Sequence, residues 1–180
     1  MIQLFLLEKL NVLVTKNAKL DASSGAVIMA IGIFLIGGIK EFPLIHLHAS
    51  KYMAITLVMI WIFIIYSYIK VLVAGLFRRY YLYHRVNSFA IGSWVAASSI
   101  IVMVVLKHFP QYHDIVKVVA MIDSILWSLF FYICLYCFKV IIQQGLYNRI
   151  HGVILLSTVS TQSIVILLSN AFPSSIPIYI

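Results

Sequence analysis

The chain alternates long apolar runs with short interruptions that are basic, aromatic or rich in Gly and Pro. A membrane-spanning helix needs about 20 mostly apolar residues at ~1.5 Å of rise each. Five stretches meet that requirement: 22–39, 52–76, 88–106, 115–138 and 151–172. The first ends on "GGIKEFP", where Gly37, Gly38 and Pro43 break the run. Lys70 lies near one end of the second, from which its amine can snorkel to the headgroups. Ahead of the spans, within residues 1–21, Ile2, Leu6, Leu10, Leu13 and Val14 are interleaved with Glu8, Lys9 and Lys16. That pattern predicts an amphipathic segment, cytoplasmic or lying in the membrane interface. Residues 173–180 are read as a short extracytoplasmic tail.

The five runs differ in texture. The even ones are bulky, as in "ITLVMIWIFIIYSYI" and "SILWSLFFYICLYCF", whereas the odd ones carry the small and hydroxyl residues. At 100° per residue, Ser88, Gly92, Ala96 and Ser99 fall on one face of the third helix, with Ser93 and Ala97 in a second, narrower row. The fifth helix gathers Ser157, Ser160 and Thr161 and turns Gln162 away. The first places Gly25, Met29 and Gly32 together, and Ala26, Ala30 and Gly37 on an adjoining strip. The alternation predicts an all-α polytopic membrane protein of about five transmembrane helices, in one bundle over 22–172, with odd helices inner and even helices outer.

Composition agrees with this class. Hydrophobic residues are 63% of the 180 and charged residues 10%, more apolar surface than a soluble domain of this length can hide. The net charge of +8 is scattered over loops rather than gathered on one face, which points to membrane topology and away from nucleic acid. Lys9, Lys16, Lys19, Lys70, Arg78, Arg79, Arg85, Lys139 and Arg149 fall on one side, and Lys40, Lys51, Lys107 and Lys117 on the other. This bias predicts a multi-pass protein of the plasma or inner membrane with a cytoplasmic N-terminus. No cleavable signal peptide is expected, because no basic segment precedes residues 2–14 and no small-x-small site follows them promptly.

Candidate chemistry is sparse. Cys134 and Cys137 form a C-x-x-C inside one apolar run, where packing is the expected role rather than a disulfide or a zinc site. His46 and His48 form an H-x-H in the first outer loop, and His108 and His113 flank the second; a metal would need three or four such ligands to converge. No nucleophile–base pair, paired carboxylates or phosphate-binding loop is present, so neither an enzyme nor a cofactor is expected. Asp123, about eight residues into the fourth span, is the one ionisable group plainly inside. An intramembrane carboxylate hints at function, but a structural role is favoured here: neutralisation by protonation, or contact with Lys117 or a polar group on a neighbouring helix.

Small residues at four-residue spacing let helices approach closely in lipid. Three alternate helices sharing the texture also leave room for a permeation path with weak hydroxyl dipoles and no fixed charge. Such a path suits anions, which conduct only if binding is favourable but weak; basic loops at its mouth would concentrate them.

The segments "SSGAVIMAIGI" (23–33), "NSFAIGSWVAASSI" (87–100) and "HGVILLSTVSTQSI" (151–164) resemble the tellurite-resistance/dicarboxylate transporter family, which includes the plant slow anion channels and the fungal sulfite exporters. "GSWVAASS" is similar to that family's G-[ST]-W-V-A-[GA]-[TS]-S stretch, and the three segments follow its order and spacing. The resemblance implies ten helices in five hairpins, odd helices around a central anion path, often a trimer, and substrates such as C4-dicarboxylates, tellurite, sulfite, chloride or nitrate. It covers the N-terminal half only. The phenylalanine that plugs the family's pore on the ninth helix lies outside it, and the prolines typical of the inner helices are missing from helices 1, 3 and 5. The expectation is therefore a small-anion transporter or channel in the bilayer, completed by a homo-oligomer or a missing C-terminal half. Its path would be lined by Gly25, Gly32, Ser88, Gly92, Ser93, Ser99, Ser157, Ser160 and Thr161. The alternative is a non-transporting interaction or scaffold protein whose small-residue faces only pack helices.

Overall fold

A computed structural model describes residues 24–43, 49–75, 87–145 and 154–173. The proposed amphipathic segment in 1–21, the His46/His48 pair and the tail beyond residue 173 lie outside the described residues. Within them the chain is all-helical, with five α-helices: α1 (Gly25–Ile36), α2 (Ser50–Val73), α3 (Gly92–His108), α4 (His113–Gln143) and α5 (Leu155–Ala171). Short 3₁₀ segments, Gly38–Glu41, Asn87–Ile91 and Pro110–Tyr112, flank them.

The lengths depart from the even set of spans that the apolar runs predict. Three helical stretches are long and apolar enough to cross a membrane: Ser50–Val73 with 24 residues, Ser88–His108 with 21 and Pro110–Gln143 with 34. By contrast α1 has 12 residues and α5 has 17. The first helix stops at Gly37 and continues as the 3₁₀ turn Gly38–Glu41. At ~1.5 Å per α residue and ~2.0 Å per 3₁₀ residue the two parts together reach roughly 26 Å. The fourth helix overshoots its apolar run because Lys139, Gln143 and the residues between them still turn helically before Gly145.

Each kind of helix has its own stop. The outer edges of α2 and α4 end two residues before a glycine in the left-handed region, Gly75 at φ 69° and Gly145 at φ 62°. An L side chain is strained there, which is why glycine closes both. The odd helical segments instead end on a Phe-Pro pair: Phe42-Pro43, Phe109-Pro110 and Phe172-Pro173. All three phenylalanines adopt nearly one conformation, φ −120° to −137° with ψ 62° to 77°. Proline forbids the helical conformation to the residue before it, so the helix must stop there.

The core lies around α3, which packs against each of the other four helices. Its span is 72% buried, against 17% for Ser50–Val73 and 28% for Pro110–Gln143. The bulky residues of α2 and α4, among them Met59, Phe63, Leu72, Ile125, Leu129 and Tyr132, stand exposed. Contiguous apolar exposure of this kind is intolerable in water and ordinary in a bilayer. Two buried clusters fill the interior. One runs from Ile28 and Leu35 through Ile100 and Val104 to Leu167; the other joins Phe89, Val95, Phe130, Cys134 and Cys137. Both cysteines are free thiols within that second cluster.

Candidate functional site

The helix-wheel rows survive on α1 and move on α3. On α1 the buried side is Gly25, Ile28, Gly32 and Leu35, while Ala26, Ala30 and Gly37 are exposed. On α3 the row starting at Ser88 does not hold as a straight α-helical stripe. Residues 87–91 are 3₁₀, at 120° rather than 100° per residue, so Ser88 is rotated out of phase with Gly92, Ala96 and Ser99. It is nonetheless buried, as are Ser93, Ser99 and Ser160.

The glycines sit where helices touch. A Cβ built on Gly25 would stand 2.3 Å from the Ser93 carbonyl oxygen, joining α1 to α3 backbone to backbone. One on Gly92 would stand 2.7 Å from the Leu156 carbonyl oxygen of α5 and 2.8 Å from the Phe130 ring of α4. One on Gly32 would meet the Ile100 Cγ2 methyl at 2.1 Å. Three of the nine singled-out residues thus mark the close approaches α1–α3 and α3–α5, as small residues do in lipid.

The hydroxyls are turned onto their own helices. Ser99 Oγ lies 3.2 Å from the Val95 carbonyl. Ser157 Oγ donates to Ile154 O at 2.7 Å, and Ser160 Oγ and Thr161 Oγ1 donate to Ser157 O at 2.8 and 2.9 Å. Back-bonding of this kind is the usual way for Ser and Thr to sit inside an apolar helix. To meet an anion, each of these hydroxyls would have to swivel away from a carbonyl.

Asp123 is placed with one of the two partners the sequence offers. Lys117 pairs instead with Asp114, 3.6 Å away at the exposed start of α4. The Asp123 carboxyl is 2% exposed, and its Oδ2 lies 2.5 Å from Ser99 Oγ across the α3–α4 contact. Two residues chosen independently from the sequence therefore form one buried pair.

Other polar ties were not legible from composition or spacing. Trp127 Nε1 donates to Thr161 Oγ1 at 3.3 Å and Trp61 Nε1 to Ser98 Oγ at 3.3 Å, so a tryptophan from each even helix clamps a hydroxyl on an odd one. Lys107 Nζ donates to Leu35 O at 3.1 Å and also to Ile36 O, capping the C-terminal carbonyls of α1. The Tyr68 and Trp94 rings stack at 3.6 Å, and the Tyr68 hydroxyl bonds Ser24 Oγ.

Two surface grooves border this core. The larger, about 420 Å³, is apolar and runs between α2, α3 and α4 past Trp61, Tyr68, Trp94 and Phe130. The smaller, about 270 Å³, has Phe131, Cys134 and Phe138 of α4 on one wall and Thr158, Thr161 and Gln162 of α5 on the other. Beside it the row Thr158, Gln162, Ile166 and Asn170, spaced by four, is exposed along the whole length of α5. Among the described residues no group of three or more His, Cys, Asp or Glu is placed to hold a metal ion. No protein-family model, no curated protein and no solved structure matches the chain.

Proposed function

We propose that the chain is a subunit of a small-anion transporter or channel in the plasma or inner membrane. Its path is completed when a second copy meets the exposed row of α5. The observation that carries this reading is Gln162. It is exposed halfway along a helix without charged residues, in a row with Thr158 and Asn170. A carboxamide facing hydrocarbon is costly, and a donor–acceptor partner on another helix relieves that cost. The slim helices α1, α3 and α5 make the inner layer in this reading, with the bulky faces of α2 and α4 toward lipid. It extends the resemblance to the tellurite-resistance/dicarboxylate transporter family, with chloride, nitrate, sulfite and C4-dicarboxylate as the substrate class.

The test is anion efflux from liposomes containing the purified chain, run in parallel with chloride, nitrate, sulfite and malate. Selective flux that is lost in Gln162→Leu is the expected result. Folded, inserted protein that passes none of the four overturns the transport reading.

A second reading is favoured by the glycine contacts: an interaction protein in which Gly25, Gly32 and Gly92 serve packing alone. It expects association of copies without flux, so the same liposomes separate the two.

A further inference from the structure

The Ser99–Asp123 contact contains more hydrogen-bond partners than a serine and a carboxylate can serve. Ser99 Oγ has two oxygens in reach: Val95 O at 3.2 Å on its own helix and Asp123 Oδ2 at 2.5 Å on α4. Both are acceptors if Asp123 is ionised, and a serine hydroxyl has one hydrogen to give. One of the two contacts would then be a close approach of lone pairs. If Asp123 is a carboxylic acid, the chain closes: its Oδ2–H donates to Ser99 Oγ, and Ser99 Oγ–H donates to Val95 O.

The surroundings point the same way. Asp123 Oδ1 is buried with no hydrogen-bond partner among the described residues, tolerable for a carbonyl oxygen and severe for half of a carboxylate. Among the described residues, compensating charge is lacking on the elements packed against α4. On α3 the basic groups are Lys107 and His108 at its far end, and Lys107 is held by the α1 carbonyls. On α5 there is no charged residue over Leu155–Ala171. The 3₁₀ segments Asn87–Ile91 and Pro110–Tyr112 carry none. On α4 itself His113, Asp114 and Lys117 lie at its start, with Lys117 paired to Asp114, and Lys139 lies sixteen positions beyond Asp123, roughly 24 Å by rise.

We propose that Asp123 and Ser99 form a proton-binding site at the α3–α4 contact, occupied at neutral pH, in which the bound proton is what joins the two helices. The site does not depend on the transport reading. Its ligand is a proton and not a metal cation, since an added O–H donor serves both contacts of Ser99 and removes the buried charge, while no group of three or more metal-ligating side chains stands there among the described residues.

Infrared spectroscopy of the reconstituted full chain tests this directly. A protonated carboxyl has its own C=O stretching band, which a carboxylate does not share. The expected result is such a band at neutral pH that moves on isotope labelling of aspartate and is absent from Asp123→Asn. In Ser99→Ala the band should persist but shift, because its hydrogen-bond acceptor is gone. Asp123→Asn should fold, since the carboxamide N–H can donate to Ser99 Oγ as the acid does. If that variant does not fold, the labelling shift and the Ser99→Ala shift carry the test alone. Absence of an aspartic acid band from the wild type at neutral pH overturns the proposal.

Discussion

Gly25 and Ser93 bring α1 and α3 together through their backbones: a single added carbon on Gly25 would lie 2.3 Å from the Ser93 carbonyl oxygen. At Gly32, almost two turns of helix further on, the obstacle is a side-chain methyl of Ile100. The difference between a wall of backbone and a wall of side chain sets the size of the cost. Gly25→Ala should cost about 2 kcal/mol through forced separation of the helices. Gly32→Ala should cost about 1 kcal/mol, because the Ile100 Cγ2 methyl sits on a β-branch whose χ1 is stiff in a helix and must be forced aside, partly offset by the helix propensity that alanine gains. Thermal unfolding of the two variants in detergent, compared with wild type, checks the contrast.

Lys107 holds the end of a helix 71 residues earlier in sequence. Lys107→Met removes the donor to the Leu35 and Ile36 carbonyls, and the last turn of α1 should fray by about 1 kcal/mol. Amide hydrogen exchange over Ile36–Ile39 should then quicken roughly fivefold, with Lys107→Arg recovering part of the protection.

The Tyr68–Trp94 stack joins α2 to α3. A double-mutant cycle of Tyr68→Ala and Trp94→Ala should return a coupling of about 1 kcal/mol. Tyr68→Phe should keep the stack and lose the Ser24 bond. Additive single effects would mean that the rings pack without mutual preference.

Gln162→Leu is expected to weaken self-association by about 1 kcal/mol, roughly fivefold, without lowering the stability of the monomeric bundle. Sedimentation in detergent measures the first and thermal unfolding the second. This exposed position is a better probe of assembly than Ser93, which is buried against Gly25, so that Ser93→Phe would break the α1–α3 contact whatever the protein does.

The number and kind of helices were legible because an apolar run of 12 or more residues has few alternatives, whereas the slim-against-bulky contrast set the three odd helices alike and did not single out α3 as the one at the centre. Lengths were less so. Hydropathy cannot tell the α-helical Gly25–Ile36 from the 3₁₀ turn Gly38–Glu41, nor see that α4 keeps turning to Gln143. Ser99 and Asp123 were each singled out, but their pairing depends on the rotation of α3 about its axis, and the 3₁₀ start at 87–91 makes that phase unreadable from a uniform wheel. The Trp127–Thr161 and Lys107–α1 ties join residues 34 and more than 70 positions apart, with no local signal for either. The chain's three Phe-Pro pairs were visible from the start, and only their shared backbone conformation shows them to be one device used three times.

That device gives the chain a module. The odd helical segments are halted by Phe-Pro and the even helices α2 and α4 by a left-handed glycine, so each carries a stop in its own sequence, to which Lys107 adds a cap at the end of α1. A hairpin bounded in this way is a unit that a gene can copy, exchange or graft whole. Changes in length should be tolerated between these stops and punished across them.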